Sequence, residues 1–162
     1  DMNPFEQDIE KAKKLLAEAG YEDGFEVGIM TNQRETRKAE AAKVQADLKK
    51  IGIDAEVTIM QASQMYAKYR KQGHQLVVAG WGNDYADADN LAMAMASYKA
   101  NQLAWRCAWY DDYAADLAEE GRFEPNPAKR EQIYEDLTKY WFSNGPFAIG
   151  YSMTFDFGGI SK

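Results

Sequence analysis

Residues 25–60, FEVGIMTNQRETRKAEAAKVQADLKKIGIDAEVTIM, decide the fold. Residues 25–30 and 53–60 alternate between apolar and polar positions, which is typical of β-strands. Between them an apolar stripe recurs at helical spacing, formed by Ala41, Val44, Leu48 and Ile51. Strand, long helix and strand are the sequence form of a βαβ unit, which predicts two parallel strands joined by a right-handed crossover.

The same alternation continues outward from this unit. Helical periodicity predicts helices over residues 8–19 and 62–72, and residues 75–80 form a short apolar run suited to a buried strand. The second half predicts mostly helices, over residues 90–98, 110–120 and onward from Asn126-Pro127, with a last strand over 147–153. We therefore predict an α/β fold in one domain, residues 1–162, with βαβ units and a mixed sheet flanked by helices.

Composition and charge exclude several classes of function. The net charge is −7 and the basic residues are dispersed, so we expect no binding to nucleic acid, which requires a basic patch. The chain has a single histidine, His74, and a single cysteine, Cys107. This limits zinc sites and histidine-based catalysis, and it rules out an internal disulfide. We expect neither a metal nor a cofactor.

An acidic segment directly after the third predicted strand is the first candidate site. It runs Gly80-Trp81-Gly82-Asn83-Asp84-Tyr85-Ala86-Asp87-Ala88-Asp89-Asn90. Ligand sites of open α/β sheets form beyond the carboxyl ends of strands, so the two glycines, the indole, the phenol and the three carboxylates of this segment, with Asn83 among them, could build a small-molecule site. The alternative is an ordinary acidic turn whose aspartates cap the next helix. A calcium loop starting at Asp87 fails, because Leu91 and Lys99 occupy ligand positions.

A second candidate is the aromatic stretch Leu103 to Tyr110. Arg106 can pair with an anion or stack on an indole, and we predict it as an anion anchor beside a ligand wall formed by Trp105. The alternative is an aromatic cluster packed on the helices with the arginine extended to the surface. Packing is the preferred interpretation for Trp109.

Four stretches, taken in order, resemble the oligopeptide, dipeptide and nickel class of extracellular solute-binding proteins that serve ABC importers. These stretches are residues 8–25, residues 45–53, Gly80-Trp81 with Asp84 to Asn90, and Asn126-Pro127 through Pro146-Phe147. The resemblance implies a two-lobed, non-enzymatic binding protein of the periplasm or cell exterior. Its ligand would be a short peptide or small solute, and its partner an ABC transporter permease.

The resemblance also implies roles for individual residues. Asp84 matches the position that holds a ligand's α-amino group, while Trp81 and Tyr85 match cleft-lining positions. The chain would cover part of the second lobe, and the first lobe would precede residue 1. The family often has proline where Ala86 and Ala88 stand here, so we expect a less rigid loop.

Two rival functions remain open on the sequence. One is a hydrolase that uses carboxylates of the acidic segment, which requires two carboxyl groups facing one substrate. The other is a structural or engineered lobe that binds no ligand by itself, whose cleft face would be an exposed aromatic patch prone to self-association.

Overall fold

The computed structural model describes residues 6–150. Its elements, in chain order, are α1 (Ile9–Glu18), β1 (Phe25–Asn32), α2 (Glu35–Lys49), β2 (Ile53–Met60), α3 (Ala62–Tyr69), β3 (Leu76–Val78), α4 (Ala88–Ala96), a 3-10 turn (Tyr98–Ala100), α5 (Leu103–Arg106), α6 (Asp112–Phe123) and α7 (Pro127–Asn144). Of the helices between residues 6 and 150, none is both long enough and apolar enough to cross a lipid bilayer.

The sheet has the strand order β2-β1-β3, and both pairings are parallel. β1 pairs with β2 along its whole length, from Phe25 opposite Ile53 to Asn32 opposite Met60. The predicted βαβ unit is therefore confirmed, and so is the α/β fold class. β1 continues past its predicted end because the buried Thr31 hydroxyl donates a hydrogen bond of 3.1 Å to the Val78 carbonyl.

The third strand differs from the prediction of a buried strand over residues 75–80. It has only three residues, Leu76–Val78, and lies at an edge of the described sheet. Leu76 is exposed and the two valines are half-buried. An apolar run does not distinguish a central strand from an edge strand, because both have at least one face to bury.

Alternate residues of the strands pack against helices on opposite faces of the sheet. On one face Ile29 and Ala55 pack with Ala41 of α2. On the other face Met30 packs with Met65 and with residues of α4 and α5. The sheet is thus a middle layer. The stripe predicted on α2 is only partly buried, since Val44 is 38% exposed.

The second half forms a helical layer in which α4, α6 and α7 pack around small residues. Ala96, Ala114 and Ala118 are fully buried with Leu137, which lets the helices approach closely. Trp141 closes this cluster, and its indole N–H donates to the Met95 carbonyl at 3.1 Å. This layer supports the segment between β3 and α4.

The last predicted strand is wrong for residues 147–150, which form no strand. Phe147 instead stacks on Trp141 at 5.3 Å between ring centroids, so its ring belongs to the helical layer. Residues 151–153 of that prediction lie outside the described residues. The three described strands are all parallel, so no antiparallel strand of the expected mixed sheet occurs among residues 6–150.

Candidate functional site

The acidic segment begins where β3 ends and leads into α4, at the carboxyl edge of the parallel sheet. This is the edge at which ligands bind in open α/β sheets. The first residue of the segment, Gly80, has no room for a side chain, because the Arg37 guanidinium of α2 occupies the space that a Cβ would need. A Cβ built on Gly80 would lie 2.1 Å from Arg37 Nη2.

The far end of the segment is fixed by Asp87. Its side chain caps α4 by accepting a hydrogen bond of 2.9 Å from the Asp89 amide, and it forms a two-pronged ion pair with Arg130 of α7. Arg130 is itself held by a hydrogen bond of 2.8 Å from Nε to the Gly121 carbonyl. The hydrogen bond from Arg130 lowers the pKa of Asp87 to about 2. Asp87 therefore holds the loop in place, as the capping alternative predicted.

A second carboxylate, Asp89, is also engaged within the protein. It is only 8% exposed and accepts a hydrogen bond of 3.0 Å from the Tyr85 hydroxyl. This bond raises the pKa of Tyr85. The neighbouring Asn90 accepts a hydrogen bond of 3.3 Å from the backbone amide of Asp84. The loop is thus folded around the first turn of α4.

Asp84 is the carboxylate of the segment that remains available. Its side chain is exposed, and within residues 6–150 it makes no hydrogen bond and no ion pair. Asn83 beside it is also exposed, and its side chain has no hydrogen bond to the described residues. The loop therefore presents one unpaired negative charge to its surroundings.

Asp84 and Tyr85 line a cavity of about 460 Å³ whose opposite side is formed by the helical layer. This volume is within the range typical of small-molecule sites. Charged and polar groups dominate the lining, with Asn90 of α4, Lys99 of the 3-10 turn, and Glu119 and Arg122 of α6. Only two of the six predicted site residues face this cavity.

Trp81 and Arg106 form a separate cluster with Tyr69 of α3. The guanidinium carbon of Arg106 lies 5.6 Å from the Trp81 ring and 5.6 Å from the Tyr69 ring. Trp81 also packs against the core on this face of the sheet. Its Nε1 is shielded from solvent and has no hydrogen-bond partner in the described part of the chain. The arginine therefore stacks on an indole, which is one of the two contacts that the sequence analysis considered for it, and its role as an anion anchor stays a prediction.

Trp105 neither lines the cavity nor belongs to the cluster of Trp81, Arg106 and Tyr69. It is half-buried in α5, and its backbone carbonyl accepts a hydrogen bond from the Gln72 side chain. Successive residues of a helix point in different directions, so Trp105 does not share the environment of Arg106. The ring centroids of Trp109 and Phe147 lie 6.5 Å apart, so Trp109 packs on Phe147, in agreement with the packing interpretation.

The sequence analysis missed the cavity's helical wall. None of Lys99, Glu119 and Arg122 was predicted to line a ligand site. One signal was available, because Glu119 and Arg122 are three residues apart and so share one face of a helix. No feature of the sequence indicates that this face is directed toward the acidic segment.

Comparison with known proteins gives a consistent result. The family model described as "Bacterial extracellular solute-binding proteins, family 5 Middle" matches residues 1–102. The dipeptide-binding protein of Escherichia coli K12 is 30% identical over 166 residues, which cover 96% of this chain and 30% of that protein. The chain thus spans about 30% of the length of this curated relative.

Solved structures agree in fold. The periplasmic binding protein DppA of Helicobacter pylori, in complex with the peptide STSA, has a TM-score of 0.79 and 30% identity, with 86% of this chain and 28% of that chain covered. AgaA of A. tumefaciens R10, in complex with agropinic acid, has a TM-score of 0.75 and 28% identity. The match covers 84% of this chain and 28% of the AgaA chain.

Proposed function

The chain belongs to family 5 of the bacterial extracellular solute-binding proteins, and from this we propose that it forms one wall of a ligand-binding cleft. The protein would deliver short peptides or similar small solutes to an ABC transporter. Residues 1–162 would be part of its second lobe, with the first lobe supplied by sequence outside this chain. Since the family is extracellular, the chain is periplasmic or extracellular.

Asp84 carries this proposal. Asp87 is bonded to Arg130 and Asp89 to Tyr85, whereas the Asp84 carboxylate is exposed and unpaired among the described residues. It lines a cavity at the sheet edge where ligands of α/β proteins bind. A carboxylate in this position fits a ligand with an ammonium group, which free peptides provide.

The ligands of similar proteins support the same chemical class. The Escherichia coli relative is named for dipeptides, and the Helicobacter pylori structure contains a peptide. The AgaA complex contains agropinic acid, so the class extends beyond peptides. We therefore propose small polar solutes as the ligand class, with dipeptides as the first to test.

The proposed site keeps the six predicted residues but gives them different roles. Asp84 and Tyr85 would contact the ligand, and Asn83 lies beside them on the exposed loop. Trp81 and Arg106 would support the base of the loop through their stacking contact. Trp105 would contact a ligand only from the half-buried side of α5.

An NMR titration of the intact chain with dialanine, compared with N-acetyl-dialanine, tests the role of Asp84. A single lobe buries only part of a ligand, so the titration should extend to millimolar concentrations. We expect Asp84→Asn to weaken dialanine binding by about tenfold or more, because a charge-assisted hydrogen bond is lost. The acetylated ligand, which lacks the ammonium group, should be insensitive to this change.

Asp54→Asn is the matched control, since Asp54 is an exposed aspartate on β2 that does not line the cavity. Equal dialanine affinity in Asp84→Asn and the wild type would contradict the anchor role. No change in the spectra with any ligand would favour a lobe without binding activity of its own.

A hydrolytic function has one observation in its favour, because Asp84 and Glu119 both line the cavity and so provide two carboxylates. The same samples test it. Release of free alanine from dialanine, abolished by Asp84→Asn, would replace binding with catalysis. We propose that no alanine is released, since the family consists of solute-binding proteins.

A further inference from the structure

We infer that a second cavity, on the face of the sheet that packs against α3, binds small carboxylates that carry an aliphatic chain. This cavity has a volume of about 310 Å³ and shares no lining residue with the cavity at the acidic segment. It is lined by residues of β1 and β2, by Lys68 of α3 and by the turn from Gly73 to Gln75 that leads into β3. It is therefore independent of the proposed solute site.

Two methionines form the apolar part of the lining. Met30 of β1 is buried in the core cluster on this face of the sheet, and Met60 of β2 packs against the same cluster. Met60 is only half-buried, so part of its side chain remains uncovered. Methionine side chains adapt their shape to the apolar groups that they contact. The two side chains thus provide a surface for an aliphatic chain.

Gln75 and Thr58 place hydrogen-bond donors beside this apolar surface. The side-chain oxygen of Gln75 accepts a hydrogen bond of 2.7 Å from the Gly28 amide. This bond fixes the orientation of the carboxamide, since only its oxygen can accept. The NH2 group of Gln75 is therefore left without a partner among residues 6–150. The Thr58 hydroxyl also lines the cavity and makes no hydrogen bond within this range.

His74 supplies a third donor, because its surroundings determine which ring nitrogen carries the proton. Nδ1 is shielded from solvent and has no hydrogen-bond partner in the described part of the chain, whereas Nε2 is not shielded. A buried N–H group without an acceptor is rarer than a buried acceptor without a donor, so the proton belongs on Nε2. Burial and the nearby charge of Lys68 lower the pKa of His74. The ring is therefore neutral at pH 7 and donates from Nε2.

Lys68 supplies the positive charge that selects an anion. Its side chain is exposed, and it has neither an ion pair nor a side-chain hydrogen bond to any of the described residues. The turn after α3 holds the base of this side chain. The Gly73 amide donates a hydrogen bond of 3.1 Å to the Lys68 carbonyl, and a Cβ built on Gly73 would lie 3.0 Å from Lys68 Cγ. The ammonium group is thus tethered beside the His74 ring.

The charge of the lining favours a carboxylate over other ligands. The described lining contains one cation and three uncharged donors, and it contains no carboxylate. Glu56 lies opposite Gly28 and points to the same face of the sheet, but it does not line the cavity. A carboxylate has two oxygens that accept several hydrogen bonds, and those from a charged donor are the strongest. Together with the two methionines, this set fits a short aliphatic carboxylate.

NMR titration of the intact chain with three ligands at pH 7 tests this inference. His74 is the only histidine of the chain, so its ring resonances report directly on this cavity. Hexanoate has both the charge and the chain, hexanamide lacks the charge, and acetate lacks the chain. We expect hexanoate to shift the His74 resonances at about tenfold lower concentration than either of the others. This factor corresponds to one hydrogen bond to a charged group or to about two buried methylene groups.

Three variants assign these preferences to residues. Lys68→Gln should bind hexanoate and hexanamide equally. Lys71→Gln is the matched control, because it removes an exposed lysine of the same turn that does not line the cavity, and it should retain the wild-type preference. Met60→Ala should reduce the preference for hexanoate over acetate and retain that over hexanamide. The thermal unfolding midpoint of each variant checks that the fold is intact.

The outcomes keep this inference separate from the proposed solute site. Equal binding of hexanoate and hexanamide by the wild type, or the same loss of preference in Lys71→Gln as in Lys68→Gln, would overturn the role of Lys68 as the anion anchor. Unchanged His74 resonances at millimolar hexanoate would overturn the site itself. Dialanine should leave the His74 resonances unchanged, and a failure of dialanine to bind at Asp84 would not affect this cavity.

Discussion

Gly20 and Gly24 share a left-handed backbone but have different surroundings. Gly20 has φ of +81° and no atom within 4 Å of a built Cβ. Gly24 has φ of +75°, and its Cβ would lie 1.8 Å from the Gly52 carbonyl oxygen. We expect Gly20→Ala to lower the free energy of unfolding by about 1 kcal/mol through backbone strain alone. Gly24→Ala should cost at least about 2 kcal/mol, because the βαβ unit must also shift.

Urea unfolding followed by circular dichroism measures both changes. Gly82→Ala is the control, because Gly82 has no atom within 4 Å of a built Cβ and no left-handed backbone. Equal losses for Gly20→Ala and Gly24→Ala would mean that the Gly52 carbonyl moves away at little cost.

Individual side chains also show where sequence-based prediction ends. The acidic segment could be singled out because it follows a strand and is rich in glycine and acidic residues, but only the family resemblance distinguished Asp84 from Asp87 and Asp89. The role of Arg106 could not be decided from the sequence, since an arginine among aromatic residues fits ligand binding and packing equally well. Its stacking partner Tyr69 comes from a distant helix. Arg122 was missed because its direction depends on how α6 packs, which no local pattern encodes.

The helices α1 and α7 begin with the same kind of cap but differ in what they bury. The Asp8 side chain accepts a hydrogen bond from the Lys11 amide, and Asn126 accepts from the Ala128 and Lys129 amides. α1 has no buried residue, whereas α7 buries Ile133, Leu137 and Trp141. The stability of α7 is therefore coupled to the core, and that of α1 is not.

We expect Asn126→Ala to lower the global free energy of unfolding by about 1 kcal/mol, the usual value of an N-cap. Asp8→Ala should leave the global value unchanged and only increase hydrogen exchange at the amides of α1. Chemical denaturation and amide exchange measure the two effects. A global loss in Asp8→Ala equal to that in Asn126→Ala would show that α1 is more tightly docked than its exposed residues indicate.

Helices and strands were predicted well where a single local pattern, such as strand alternation or a helix N-cap, determines them. β2 occupies residues 53–60 as predicted, and Asp8 and Asn126-Pro127 start their helices as predicted. β3 is shorter than its apolar run, because only three of its residues pair with β1. The apolar Phe147 was assigned to a strand, but it packs in the helical layer. In both cases tertiary contacts decide what periodicity leaves open.

The ion pair between Asp87 and Arg130 joins the sheet-edge loop to the last described helix and should affect the acid stability of the whole protein. The pKa of Asp87 is lowered to about 2 from its ordinary value of 3.8. A group with a lowered pKa in the folded state stabilises it above the unfolded value. This contribution disappears as the pH falls from about 4 to about 2, because the unfolded chain takes up the proton first.

Thermal unfolding midpoints measured over that pH range test the effect. We expect the midpoint of Asp87→Asn to fall less steeply with decreasing pH than that of the wild type, although it starts lower at neutral pH. Arg130→Gln should reduce the steepness in the same way, and the double variant should add nothing further to it. A wild-type slope in Asp87→Asn would assign the acid sensitivity to other carboxylates.

The same ion pair determines how the acidic segment can be engineered. Loops are commonly regarded as portable parts that can be grafted from one scaffold to another. The segment from Gly80 to Asn90 does not meet that description, because its end is fixed by an arginine of α7 that is also bonded to Gly121 of α6. The smallest transplantable unit is therefore the loop with its helical layer. Libraries that test the proposed ligand site should randomise positions 83–85 and keep Asp87 and Arg130 constant.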